Sequence, residues 1–551
     1  MKQLLFAVCM ATAMLARATP PEVSDVRASQ RADSKLVDIY YNATDADGDL
    51  LKVRVEISDN DGVKYSVPAF SLAGDIGEGI TPGNDKHIVW DAGTDWDGEY
   101  SDKMRVKVFA IDAQGFPGME WSDEVKPGGF LLGQDGGAEG SGESQHVNIK
   151  WSYWIGKYEV TAQQYCDFLN AAIVAGIVGR NGTETVYASE TMPATYGCPI
   201  NAVLCNIGDN WCIRWNVNNF EVVSGWADKP AIVTWYGAMA FCRFYGYDLP
   251  TEAEWEKAAR GPDYDDQDEH LLYPWGNTYY AASQAYTAHS GTYSQLTGLS
   301  NVNAYDAQIN GYGICDVVGN AAEWTRSSGE ETLDDYPTNE SLKDDRQLPY
   351  VRVDRVVKGV GDAGLYYRQA VDETQVYCST NNYSRYFYTG FRPVRRSSDA
   401  EDVILSREVF EDFDTITTAS YTYTRNGRTW ETDLSRESYL YENYKCFFPS
   451  VGVNGSGGVT EVKNYDNSLY LPTLTGRLCF VRLKAKNTDS YSQNIYCQSS
   501  LGTAEYVKLP EYMGEFLPYQ LSAVLDAEYY RIYLDSKLTF DEIELWTIPK
   551  E

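Results

Sequence analysis

The chain has 551 residues, long enough for roughly three or four separately cored domains. Its formal charge of −33 creates a field that repels nucleic acid and anionic membranes, so neither is an expected partner, while cations are easily recruited. The four histidines (His87, His146, His270 and His289) are scattered and there is no Cys-x-x-Cys, which argues against a zinc site.

In chain order, residues 1–18 read as a signal peptide: Lys2, an apolar run from Leu4 to Leu15, and a small-x-small site at Ala16-Arg17-Ala18. No other stretch is long and apolar enough to span a membrane, so the protein is expected to be secreted, periplasmic or at the cell surface. That compartment permits disulfides, and Cys198, Cys205 and Cys212 lie close enough in sequence for a local staple. Residues 19–127 read as an immunoglobulin- or fibronectin-like β-sandwich. In LKVRVEIS (51–58) the alternation puts Leu51, Val53, Val55 and Ile57 on one face. The segment DADGDL (45–50) reads as an acidic hairpin turn, since an EF-hand glutamate and flanking helices are missing.

Pro127-Gly128-Gly129 marks the next boundary, and residues 128–398 form the expected central domain. Three helix starts are legible. Thr161 with Gln164 and Thr251 with Glu254 have capping-box spacing, and Thr234 precedes an apolar face that stops at Gly246. The acidic run 263–269 reads as a solvated loop. From 399 to 551 short β-rich runs alternate with turns. Phe410-Glu411-Asp412-Phe413 and LTFDEIELW (538–546) read as first and last strands of one sheet, as in a jelly-roll-like sandwich. The fold class expected is therefore multidomain, β-rich α+β.

Four blocks of the central domain carry a resemblance. They are WSYWIGKYEVTAQQYCDFLNA (151–171), KPAIVTWYGAMAFCRFYGYDLPTEAEWEKAARG (229–261), YPWGN (273–277) with NGYGICDVVGNAAEW (310–324), and GFRPVR (390–395). In this order they resemble the sulfatase-modifying (formylglycine-generating) family. The resemblance covers about half of the chain. It implies a loop-rich, C-type-lectin-like α+β fold, with Trp235, Trp255 and Trp324 in the core. Asp248 stands where the family usually carries Arg, and reads as a small structural drift.

The same resemblance defines what chemistry is at stake. Family enzymes oxidise a substrate cysteine with two active-site cysteines that hold copper, because soft thiolates bind Cu(I). Here those two positions fall on Gly364 and Gln369. No catalytic residues are carried over, and copper is not expected as a cofactor. Nor does the chain contain the His-rich helical domain of the related iron-dependent branch. Calcium is expected instead. The family's ligand positions map to the side chains of Asp316 and Glu323 and the carbonyls of Gly319 and Ala321, a hard oxygen set. The competing reading is a tight turn in which Glu323 caps backbone amides.

The segment 377–392 is rich in Tyr, Asn, Ser and Arg, the side chains of adaptable recognition surfaces. Arg368, Tyr377, Asn381, Asn382, Tyr383, Arg385 and Tyr386 are the ligand-binding candidates, against the simpler reading that the tyrosines pack in strands. The expected function is non-catalytic recognition of a glycan or an extracellular protein. The alternatives are a formylglycine-generating oxidase that modifies sulfatases and a hypervariable lectin-like display receptor.

Overall fold

The computed structural model describes residues 21–261, 299–412, 422–432 and 467–550, apart from short stretches of which 134–143, 360–367, 305–310 and 380–385 are the longest. The expected signal peptide, most of the 45–50 turn and the acidic run 263–269 lie outside the described residues. The chain divides into two compact units. One ends at Glu120 and includes Phe244–Tyr247; the other runs from Trp121 onward without that short piece.

The first unit contains β1 (Glu22–Gln30), β2 (Leu36–Thr44), β3 (Leu51–Ser58), β4 (Leu72–Gly74), β5 (Gly77–Ile80), β6 (Gly83–Asp91), the one-turn α1 (Ala92–Asp95) and β7 (Arg105–Asp112). They form two sheets, ordered β1-β2-β6-β4 and β5-β3-β7. Ile39 and Tyr41 of β2, Leu51, Val53 and Ile57 of β3, and Trp90 of β6 fill one core between them. The alternation read in 51–58 is the cause, since period 2 sends every second side chain to one face. Val55 is the partly buried member of that face.

The second unit begins with β8 (Gly128–Leu132), β9 (Gln145–Ile149), β10 (Tyr153–Ile155) and α2 (Ala162–Val174). There follow β11 (Val178–Asn181), β12 (Thr185–Ala188), β13 (Val203–Asn206), β14 (Ile213–Asn216), β15 (Asn219–Val222), α3 (Trp235–Phe244) and α4 (Glu252–Arg260). Next come β16 (Ala322–Ser328), β17 (Arg355–Lys358), β18 (Gln369–Val371), β19 (Tyr377–Ser379), β20 (Tyr386–Gly390) and β21 (Val394–Arg396). The central sheet has the order β18-β17-β16-β20-β19, with β16 and β20 parallel.

All three expected helices form. Thr161 and Thr251 each cap the backbone of their third helical residue, which caps back. Thr234 Oγ1 accepts from Gly237 N at 3.0 Å. Gly246 takes φ +74°, a conformation that ends a helix easily only without a Cβ. Gly237 has a different reason: a Cβ there would lie 2.2 Å from the Leu204 carbonyl oxygen.

The unit ends with β22 (Ser406–Asp412), β23 (Thr422–Arg425), β24 (Arg428–Thr432), β25 (Asn467–Tyr470), β26 (Arg477–Lys486), β27 (Gln493–Ser499), β28 (Gly502–Leu509), β29 (Leu517–Ser522), β30 (Tyr530–Leu534) and β31 (Thr539–Ile548). Two sheets, β22-β31-β26-β29 and β23-β24-β25-β30-β27-β28, enclose a core that includes Val481, Leu483, Ile495, Ile532 and Leu545. The first and last strands pair as expected, Phe410 opposite Glu544. A further cluster joins this part to the central region: Ala194, Leu348 and Tyr350 pack with Leu405, Phe480 and Ile548.

Candidate functional site

Every residue of β16 and β17 is buried, including charged ones, so each charge needs a partner. Glu323 on β16 receives Arg392 Nε on Oε2 at 2.6 Å, Arg392 Nη2 on Oε1 at 2.5 Å, and Trp255 Nε1 on Oε2 at 2.7 Å. Trp235 Nε1 donates to Thr325 O at 2.8 Å and Trp324 Nε1 to Val233 O at 3.0 Å. The three tryptophans are core residues, as expected.

The loop before β16 is held by its own unusual backbone. Asp316, Gly319 and Asn320 take φ of +55°, +88° and +58°, conformations that Gly, Asn and Asp tolerate best. Asn320 Oδ1 accepts from Ser300 N at 3.0 Å, and its Nδ2 donates to Glu159 at 2.6 Å. Glu159 also accepts from Ala321 N at 2.9 Å.

Sequence reasoning did not single out Glu159. Its signal was a charge inside the otherwise apolar-flanked stretch before α2. Burial pushes its carboxyl well up, and Glu323 and Asp316 push it further, against the pull of Arg392. Three carboxylates thus share one buried space with one guanidinium. Among the described residues, no group of three or more His, Cys, Asp or Glu side chains is arranged to hold a metal ion. Glu323 turns its carboxylate to Arg392 and Trp255, and Glu159 accepts from Asn320 and Ala321.

Asp248 is not a minor drift. Its carboxylate accepts from Arg326 and from Arg396 Nη1 at 2.7 Å, and Arg243 Nη2 stands 3.2 Å away. Burial opposes its ionisation, but Arg243, Arg326 and Arg396 together hold the carboxyl well below its usual range. Asp402, beyond the central sheet, completes the network through Arg326 at 2.6 and 2.8 Å. An arginine at position 248 would place a fourth cation in this cluster.

Where the family's second thiol is expected, Gln369 opens β18 opposite Val357, and its Nε2 donates to Ala370 O at 3.1 Å. Gly364 lies outside the described residues. Beside Gln369, Arg368 donates through Nε to both oxygens of Glu252 at 3.0 and 3.2 Å, and its side chain is 8% exposed. As a ligand-binding candidate it is therefore already committed. Lys358 Nζ sits between Glu252, at 3.7 Å, and Glu256, at 2.8 Å.

Copper chemistry would require accessible thiolate. Among the described residues, Cys166, Cys198, Cys205, Cys212, Cys242, Cys315, Cys479 and Cys497 are buried and unpaired with one another. Burial pushes the thiols of Cys166 and Cys497 up to about 12 and moves Cys205 and Cys242 well upward. These eight buried thiols are not accessible thiolates; the side chain of Cys378 lies outside the described residues. The staple expected among Cys198, Cys205 and Cys212 is not formed; Cys198 Sγ donates to Tyr236 O instead, at 3.2 Å.

Of the other candidates, Tyr377 lies on β19 opposite Tyr388, and Tyr386 on β20 opposite Ser379. Asn381, Asn382, Tyr383 and Arg385 lie outside the described residues. β19 is one edge strand of the central sheet and β18 the other.

Comparison with known proteins places this region. The family described as sulfatase-modifying factor enzyme 1-like domain matches residues 122–397. Formylglycine-generating enzyme from Bos taurus is 29% identical over 237 residues, covering 38% of this chain and 60% of the relative. Inactive C-alpha-formylglycine-generating enzyme 2 from Mus musculus is 27% identical over 234 residues, covering 37% and 67% respectively. Among solved structures, PvdO from Pseudomonas aeruginosa aligns with 50% of this chain and 93% of its own, at 18% identity and a TM-score of 0.32. The similar proteins thus include both an enzyme and a relative named inactive.

Proposed function

The chain belongs to the sulfatase-modifying factor enzyme 1-like family, and from that premise we propose that it is a non-catalytic member that recognises a glycan or an extracellular protein. The observation that carries this reading is the residue pair at the two thiol positions, Gly364 and Gln369. Neither can bind Cu(I) as thiolate does. The neighbouring charges support it: Arg368 is spent on Glu252, and Lys358 on Glu256 and Glu252. The scaffold is kept and the redox pair is not.

The recognition surface in this reading is the β19–β20 edge hairpin with the connecting residues 380–385. An edge strand is where a loop can vary without disturbing the sheet. In this reading the N-terminal sheet pair is an immunoglobulin-like module and the C-terminal sheet pair a jelly-roll-like one. The signal segment directs the protein out of the cytoplasm. Among the described residues no helix is long and apolar enough to cross a membrane.

Calcium belongs to the same proposal. Asp316 and Glu159, with the carbonyls of Gly319 and Ala321, would hold it. Bound there, it would supply fixed positive charge and rigidity to the loop. Thermal unfolding with calcium and then with EDTA tests this: calcium raises the midpoint of the native chain but not that of Asp316→Asn. Equal midpoints in calcium and EDTA for the native chain would remove calcium from the account.

Recognition is tested by screening the full chain against a glycan array and an extracellular protein library. Binding that is lost when 380–385 is replaced by a Gly-Ser linker is the expected result. No ligand in either screen contradicts the proposal.

A further inference from the structure

The two terminal sheets use their outer faces differently. The four-stranded sheet, β22-β31-β26-β29, packs Phe480 and Ile548 into the cluster it shares with Ala194, Leu348 and Tyr350. The six-stranded sheet sends Ile495 and Cys497 of β27, Leu509 of β28 and Ile532 of β30 into the core between the two sheets. Alternation then places Tyr496 and Gln498 of β27, Tyr506 and Lys508 of β28, and Arg531 of β30 on its opposite face.

On that face aromatic residues meet across strands. Tyr496 stands opposite Tyr506 of β28 and opposite Tyr533 of β30, so tyrosine occupies three adjoining register positions. The Tyr496 and Tyr506 rings lie 5.5 Å apart, centre to centre, and are tilted by 36°. Tyr506 is 59% exposed, and Leu501, in the turn between the two strands, is 64% exposed. Next along the strand, Gln498 is opposite Arg531, whose Nε and Nη2 both donate to Gln498 Oε1, at 3.1 and 2.7 Å. Arg531 is 7% exposed, so this pair is in place before any ligand arrives. The Gln498 oxygen is thereby used, and its amide N–H groups are the donors it offers.

Open rings with amide donors beside them suit the C–H faces and hydroxyls of a sugar chain. A protein strand added to the edge strand β28 would meet Lys508 and a register shift in the β27–β28 ladder, two features that blunt edge pairing. Charge narrows the saccharide class, because a chain of net charge −33 repels anionic polymers. We propose that this face of β27, β28 and β30 binds a neutral polysaccharide, one sugar ring on Tyr506 and the next on Tyr496, with Gln498 donating to a hydroxyl. The site uses none of the β19–β20 residues and stands independently of them.

Affinity electrophoresis of the full chain through gels containing hydroxyethylcellulose, glucomannan, galactomannan or polygalacturonate tests the proposal. Retardation by at least one neutral polymer is expected. Tyr506→Ala should weaken it about fivefold or more, the order of one lost ring contact. Tyr506→Phe should retain it, and both variants should keep the native thermal midpoint. No retardation by any neutral polymer, retardation by polygalacturonate alone, or retardation unchanged in Tyr506→Ala overturns the proposal. A concentration-dependent dimer that Tyr506→Ala abolishes in sedimentation also overturns it, by assigning the face to a second copy of the chain. The protein with 380–385 replaced by a Gly-Ser linker separates the two surfaces. Retardation that persists in it supports the face described here, and retardation lost in it moves the site to the hairpin. If this face fails, ligands from the array or protein screens that are lost with the linker still sustain the β19–β20 reading.

Discussion

Asp248 shows how one residue can be misjudged from sequence and then explained by charge. Its partners Arg326 and Arg396 lie 78 and 148 positions away. No local pattern announces them, so the residue looks like drift until the fold gathers three arginines around it. Removing the charge leaves those cations buried without their shared anion. Asp248→Asn is therefore expected to lower stability by about 3 kcal/mol, the order seen when a buried ion pair loses one member. Urea unfolding measures it, and a loss well under 1 kcal/mol contradicts the network. Glu340 carries the opposite prediction. Burial first, and then the charge of Glu254, raise its carboxyl to about 8. The folded pKa thus lies above the unfolded value of about 4.3. The native chain holds a proton that the unfolded chain releases, so this group's contribution falls as pH rises from that value to about 8. Relative to Glu340→Gln, the native chain should lose up to about 1.4 kcal/mol per pH unit across that window. Unfolding of both proteins at pH 5 and pH 8 checks it, and a pH-independent difference refutes it.

At the scale of elements, what was legible was local. Thr161 with Gln164 and Thr251 with Glu254 are three residues apart, and each pair carries its own instruction for starting a helix. The face of β3 was legible because alternation needs only one strand. The parallel pairing of β16 with β20 was not, since it joins Ala322 to Thr389 across long intervening segments. The candidate site divides the same way. The 316–323 loop could be located from its motif, but the use of Glu323 on Arg392 rather than on a backbone amide depends on that distant pairing. Gly237 is a test of packing between elements. Its hydrogen is all that α3 can place against Leu204 O, so Gly237→Ala should cost about 1–3 kcal/mol through overpacking. Helix propensity alone predicts a gain for that change, so the sign of the measured difference decides between them.

For the whole molecule, the chain keeps the family's tryptophans, capping boxes and GNxxEW turn while position 369 holds an amide. The terminal sheets share an apolar cluster with the central region, and Arg477 grips Asp345 at 2.6 and 2.8 Å. The central claim is that a retained scaffold has lost its oxidase chemistry. The most direct measurement is to incubate the full chain, copper and oxygen with a Cys-x-Pro-x-Arg peptide and to follow the peptide's mass. The account predicts an unmodified cysteine; conversion of that cysteine to formylglycine, abolished by removing copper, would contradict it.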